Sequence, residues 1–160
     1  MQSIGPFTLR AATNADQTAV WSLISQVLGS YGIATDLAST DQDLANIEAN
    51  YSGNQGALFV LVDGEKPIGT VAVRRESDTS CELCRMYLSP EYRGHGLGRG
   101  LLSVAEEHAR VRGFTEMRLK TATALEEAIR LYESVGFVRS SSASCGNNSK
   151  CNVTMFKQLL

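Results

Sequence analysis

Apolar side chains recur along this chain with two periods, and each switch between them marks an element. Phe7 to Ala11 alternates as a first strand. Val20, Ile24, Val27 and Leu28 then fall at helical spacing, predicting a helix from Ala15 to Leu28 with Gly29 as its stop. A shorter helix is expected from Thr40, where Thr40 and Asp43 make a capping pattern and Leu44 and Ile47 form the buried face. Ala57 to Val62 and Ile68 to Arg74 are apolar and β-branched, and Asp63-Gly64 between them reads as a hairpin turn. Cys81 to Leu88 is a further strand, stopped by Ser89-Pro90. Arg93 to Gly100 carries four glycines in eight residues and runs into Leu97, Leu101, Val104, Ala105 and His108 at helical spacing, with Gly113 as the end. Met117 to Thr121 reads as a strand, Leu125 to Ser134 as a helix ended by Gly136, and Phe137–Ser140 and Asn152–Leu159 as closing strands. Ser140 to Ser144 reads as a loop or a solvated strand start. The order β-α-α-β-β-β-α-β-α-β-β predicts a mixed α/β fold with a mostly antiparallel central sheet flanked by helices.

Composition narrows the class. The 160 residues suffice for one domain spanning 1–160 and for a core that needs no disulfide or metal. With 43% hydrophobic and 20% charged residues, the chain is neither disordered nor a disulfide scaffold. A net charge of −2 argues against duplex nucleic acid or an anionic membrane as the main partner. The longest apolar run, Ala57 to Val62, is far short of the ~20 residues that span a bilayer, and Met1 to Arg10 lacks a signal-peptide pattern. Four cysteines suit a reducing, cytoplasmic setting.

The glycine-rich segment carries the first chemistry. Arg93-Gly94-His95-Gly96-Leu97-Gly98-Arg99 lies between a strand end and a helix start, where unpaired N–H groups and the helix dipole favour an anion. Glycines at alternate positions let the backbone approach a phosphate, and Arg93 and Arg99 can make bidentate contacts. The segment is suited to a pyrophosphate. Walker A fails for want of Gly-Lys-Ser/Thr, and G-x-G-x-x-G fails in all three registers, at Arg99, Leu101 and Ser103.

Arg93-x-x-Gly96-x-Gly98 resembles the [RQ]-x-x-G-x-[GA] signature of the GNAT superfamily of acetyl-CoA-dependent N-acetyltransferases. Glu82 to Pro90 is similar to that family's pantetheine-binding strand, and Ala128 to Phe137 to its A-x-x-L-Y-x-x-x-G-F hallmark. The element order matches from end to end. The resemblance implies an acetyl-CoA site at Met86, Tyr87 and Leu88, at Arg93, Gly94, His95, Gly96, Leu97, Gly98 and Arg99, and at Tyr132. In it, the backbones of Met86 and Leu88 hold the pantetheine arm and thioester, because strand four splays from strand five. The loop N–H groups would cradle the pyrophosphate, and Tyr132 would face the sulfur. Many members carry Asn where this chain has Leu125, so one side-chain contact to the coenzyme is missing or supplied elsewhere.

Acetyl transfer needs a neutral amine, and a lysine-like amine of pKa ~10.4 is almost wholly protonated at neutral pH. Glu82 is the candidate base, four residues before Met86 on what reads as the same strand face, about 13 Å away and so acting through water. A strand glutamate paired with an arginine is the equal alternative. Tyr132 is the candidate acid for the departing thiolate, against a tyrosine that only packs on the coenzyme. His95 suits a phosphate-side or surface role, and His108 a partly buried helix position. Cys81 and Cys84 point to opposite strand faces, so neither zinc nor redox use is expected. Cys145 and Cys151 flank a polar loop and could be neighbours. Asp36, Asp41, Asp43 and Glu48, with no basic residue from Tyr31 to Tyr51, form an acidic rim for a cationic amine or a solvated helix face. The expectation is direct transfer to a primary amine in a ternary complex, with no metal and a homodimer left open. The rival is a non-catalytic acyl-CoA-binding module on the same fold.

Overall fold

The computed structural model of the chain describes residues 2–33, 42–51, 56–121, 125–140 and 153–159. Its strands are β1 (Gln2–Ile4), β2 (Phe7–Ala11), β3 (Ala57–Asp63), β4 (Lys66–Arg75), β5 (Ser80–Leu88), β6 (Glu116–Thr121), β7 (Val138–Arg139) and β8 (Val153–Gln158). The helices are α1 (Gln17–Gly29), α2 (Ile47–Tyr51), α3 (Leu97–Val111) and α4 (Glu126–Ser134). One sheet runs β1-β2-β3-β4-β5-β6-β8-β7, antiparallel throughout except for the parallel pair β5–β6.

The predicted elements are present, with two differences. A short strand, β1, precedes the expected first one and pairs with β2 across a turn in which Gly5 takes φ +59°. Its residues Gln-Ser-Ile carry no apolar alternation to announce it. The second helix is broken into a 3₁₀ turn at Gln42–Ala45 followed by α2, although Leu44 and Ile47 are buried as expected. Thr40, its expected cap, lies outside the described residues.

Helices cover both faces of the sheet, which explains why β3 reads as an unbroken apolar run. Leu61, Val71 and Val73 pack with α3 and α4, whereas Leu58, Val60, Val62 and Ala72 pack with α1 and α2. The buried face of α3 includes Glu106, whose carboxylate meets Lys157 of β8 at 2.5 Å. His108 is half-buried and stands edge-on to Phe59 at 5.5 Å.

Two irregularities in β5 shape the interior of the molecule. The β4–β5 register shifts between Thr70 and Ala72, and the extra residue is accommodated at Arg85, the only described non-glycine residue with positive φ (+51°). Such a conformation costs on the order of 1–3 kcal/mol. The second irregularity is that the β5–β6 ladder ends at Leu83–Leu119. From Cys84 to Leu88, β5 pairs with β4 on one side and leaves β6 on the other.

Candidate active site

The parting of β5 from β6 opens a cavity of about 330 Å³. Its walls are the last turn of α1 with Tyr31, the second half of β5, the glycine-rich loop, the end of β6 and the inner face of α4.

At one end the loop prepares a helix terminus. Gly94 and Gly96 hold φ +83° and +77°, and a Cβ at either would meet nothing within 4 Å, so the demand for glycine there is conformational. Gly96 caps α3 without a side-chain hydrogen bond, and the first closing bond runs from the Gly100 N–H to the Gly96 carbonyl at 3.2 Å. The N–H groups ahead of it have no acceptor within the helix, which makes the terminus suited to an anion. Gly98 serves packing instead: a Cβ there would lie 3.0 Å from Leu131 and 3.8 Å from Met86.

The side chains of this loop divide by role. Arg93 Nε donates to the Leu88 carbonyl at 3.2 Å and Nη1 to the Tyr31 hydroxyl at 3.2 Å, with the guanidinium 5.9 Å from the Tyr31 ring. Arg93 thus joins β5, the loop and the turn that follows α1. Arg99 donates to Ser134 Oγ of α4 at 2.9 Å. Leu97 is buried beneath the loop and lines the cavity. His95 is exposed and its side chain does not line the cavity, consistent with a surface position.

Met86, Tyr87 and Leu88 line the middle of the cavity, with Tyr132 of α4. Tyr132 is only 6% exposed. Burial, reinforced by the neighbouring Tyr87 and Cys84, pushes its phenol above the ordinary range, so it stays protonated at neutral pH. Cys84 also lines the cavity, but burial and the Glu82 charge push its thiol up to about 12. It is therefore no thiolate nucleophile at neutral pH. Cys81 sits in the opposite core layer, as strand alternation predicts. Cys145 and Cys151 lie outside the described residues. Leu125 presents an apolar wall.

Glu82 departs from the expected geometry. Simple alternation puts it on the same face as Met86, but the extra residue at Arg85 reverses that alternation. Met86 and Leu88 pack toward α3 and α4, whereas Cys84 and Tyr87 pack toward α1 and α2, the face Glu82 shares. Glu82 is 7% exposed, meets Arg74 at 2.6 Å and Lys120 at 3.9 Å, and does not itself line the cavity. The pairing with an arginine, the alternative expected from the sequence, is present.

The acidic stretch is partly spent on contacts within the protein, nearly enclosed at Asp43 and on the surface at Glu48. Asp43 accepts two hydrogen bonds from Arg85, and Glu48 accepts the Asn14 N–H at 2.8 Å. Asp36 and Asp41 lie outside the described residues. Burial opposes the Asp43 charge, yet Arg85 and the Tyr51 hydroxyl outweigh it and hold the carboxyl below its usual range. Arg85, Tyr31 and Lys120 are cavity residues that sequence reasoning missed. No local pattern marks them, because each reaches the site through strand geometry or from the turn after a distant helix.

The "Acetyltransferase (GNAT) family" sequence model matches residues 21–137. YjgM of Escherichia coli K12, an uncharacterised N-acetyltransferase, is 34% identical, covering 99% of this chain and 100% of that one. A GNAT-family acetyltransferase from Staphylococcus aureus Mu50 superposes with a TM-score of 0.87 at 20% identity, over 96% of this chain and 99% of that one. The PaiA N-acetyltransferase from Thermoplasma acidophilum, solved in complex with coenzyme A, gives 0.72 at 18% identity over 95% and 98%. By the family match over residues 21–137 and the relative that is 34% identical over nearly the whole chain, this chain is an acyltransferase that belongs to the GNAT family.

Proposed function

We propose that this protein transfers the acetyl group of acetyl-CoA directly to a primary amine bound beside it, in the cytoplasm. The observation that carries this reading is one cavity with an anion-ready helix terminus at one end and strand edge released from pairing at the other. That form fits an elongated ligand with a pyrophosphate at one end and an amide-rich arm. The N–H groups from Gly94 to Arg99 would hold the pyrophosphate, and the backbones of Met86 and Leu88 the arm. The Leu88 carbonyl already accepts one bond from Arg93, so the ligand would meet its second lone pair or the Leu88 N–H.

Acetyl-CoA supplies an acyl group activated as a thioester, with a thiolate of ordinary pKa ~8.5 as leaving group. Tyr132, held protonated above the usual phenol range, is a weaker acid than the departing thiol. Its hydroxyl therefore works by donating a hydrogen bond as negative charge grows on sulfur, with most of the proton retained. Glu82 accepts the proton of the amine through ordered water, its carboxylate steadied by Arg74 and Lys120. The apolar ring faces and Leu125 keep bulk water from the thioester.

Thermal unfolding with added ligands tests the reading. At 100 times Kd, acetyl-CoA or CoA should stabilise the fold by about 2.7 kcal/mol, a rise of roughly 5–10 °C, with NAD and ATP doing much less. Equal stabilisation by all three would overturn the CoA assignment. Acetyl-CoA-dependent thiol release across a panel of amines then finds the acceptor class. A ligand shift without thiol release from any amine would make the chain an acyl-CoA-binding module instead.

A further inference from the structure

The bulge at Arg85 needs a restraint, because a left-handed backbone is one that L side chains rarely adopt. Three contacts supply it. Thr70 Oγ1, on β4, donates to the Arg85 carbonyl at 2.7 Å. The Arg85 side chain leaves the sheet toward the 3₁₀ turn that precedes α2, where Nε and Nη2 donate to the two carboxylate oxygens of Asp43 at 2.9 and 2.5 Å. The Tyr51 hydroxyl, on α2, donates to the same carboxylate. Both partners are nearly enclosed, at 11% and 12% side-chain exposure, so a broken pair would strand a buried charge. The bulge is what turns Met86 and Leu88 to the face opposite Cys84.

We propose that Asp43, acting through Arg85, is a positioning residue for the coenzyme-binding edge of β5. The ion pair fixes the bulge, the bulge sets the direction of Met86 and Leu88, and the α2 side of the molecule is thereby tied to the thioester half of the site. The phosphate loop touches this chain of contacts through the Arg93 bond to the Leu88 carbonyl, but Arg93 is also held by Tyr31 and the left-handed turns at Gly94 and Gly96 are set by the loop's own backbone. The inference rests on the acetyl-CoA reading and predicts that the two halves of the coenzyme respond differently.

Calorimetric titration of the full chain with acetyl-CoA and with adenosine 3′-phosphate 5′-diphosphate, the coenzyme lacking its pantetheine arm, separates those halves. Asp43→Asn should weaken acetyl-CoA about tenfold and leave the nucleotide within about twofold. Adding Arg85→Gly should bring acetyl-CoA back to within about threefold of wild type, since glycine adopts the bulge unaided and no buried guanidinium is left unpaired. Equal weakening of both ligands, no weakening of either, or no recovery in the double variant would overturn the proposal. If Asp43→Asn alone does not fold, the double variant decides: restored folding with acetyl-CoA binding supports the restraint, and failure of both overturns it. Wild-type protein that binds neither ligand overturns the acetyl-CoA reading and this proposal with it.

Discussion

Tyr132 shows how a single side chain acquires its chemistry from its surroundings. A phenol in water titrates near pH 10, but this one is enclosed beside Tyr87 and Cys84 and titrates higher. Tyr132→Phe removes the hydroxyl and keeps the ring, so acetyl-CoA affinity should hold while kcat falls by roughly 10²-fold. Titration calorimetry and steady-state rates read the two quantities separately. Near-normal turnover would make Tyr132 a packing residue. Weakened coenzyme binding with unchanged kcat would make it an anchor. Glu82 is the complementary case, a carboxylate enclosed with Arg74 and Lys120. Glu82→Gln should depress kcat/KM most at neutral pH and recover in part as the pH nears the amine pKa. A mutant-to-wild-type ratio that stays flat from about pH 7 to 9.5 would assign Glu82 to the ion pair alone.

At the level of elements, the four glycines of the loop and of early α3 do different work. Gly94 and Gly96 supply left-handed backbone, Gly98 lets α3 close on Leu131, and a Cβ at Gly100 would come within 2.6 Å of Ile4 on β1. The helix terminus therefore depends on conformation at Gly96 and on freedom from negative charge, and these can be separated. Asparagine tolerates left-handed φ far better than most residues. Gly96→Asn should keep most of the thermal shift produced by CoA. Gly96→Asp, similar in size and backbone preference but charged against the phosphate, should abolish it. If the two variants respond alike, the loop does not receive the pyrophosphate.

For the molecule as a whole, acid stability follows from its enclosed carboxylates. Asp16 is held below the usual range by hydrogen bonds from Arg10 and by the Thr13 N–H, against the cost of burial, and Asp43 by Arg85 and Tyr51 against a larger burial cost. A depressed carboxylate contributes stability that is full above its unfolded pKa of ~3.9 and is lost as pH falls through the folded value. Glu76, raised by burial and by the Glu82 charge, acts with the opposite sign and offsets part of the loss. The melting temperature should stay level from pH 7 to about 5 and drop below about pH 4. Asp16→Asn should make that drop shallower, and an unchanged slope would show that the pair adds no pH-dependent stability. Among the described residues, no helix is long and apolar enough to cross a membrane.

The division between sequence and fold follows the range of the interactions involved. Periodicity, caps and glycine punctuation are local, and they suffice to predict α1, the β3–β4 hairpin, β5, the loop and α3 to within a few residues. The spacing of Arg93, Gly96 and Gly98 is likewise readable, because a helix terminus is made by consecutive residues. Tertiary structure alone decided where β5 and β6 part, since that depends on two strands separated in the chain by α3. It also decided which face Glu82 occupies, because one extra residue at Arg85 reverses a strand's alternation without altering its composition. The acidic residues near α2 can be counted along the chain, yet only packing shows that Asp43 spends its charge on Arg85, 42 positions away. A sequence records which groups are present, whereas their burial and partners, and hence their chemistry, are set by contacts between distant segments.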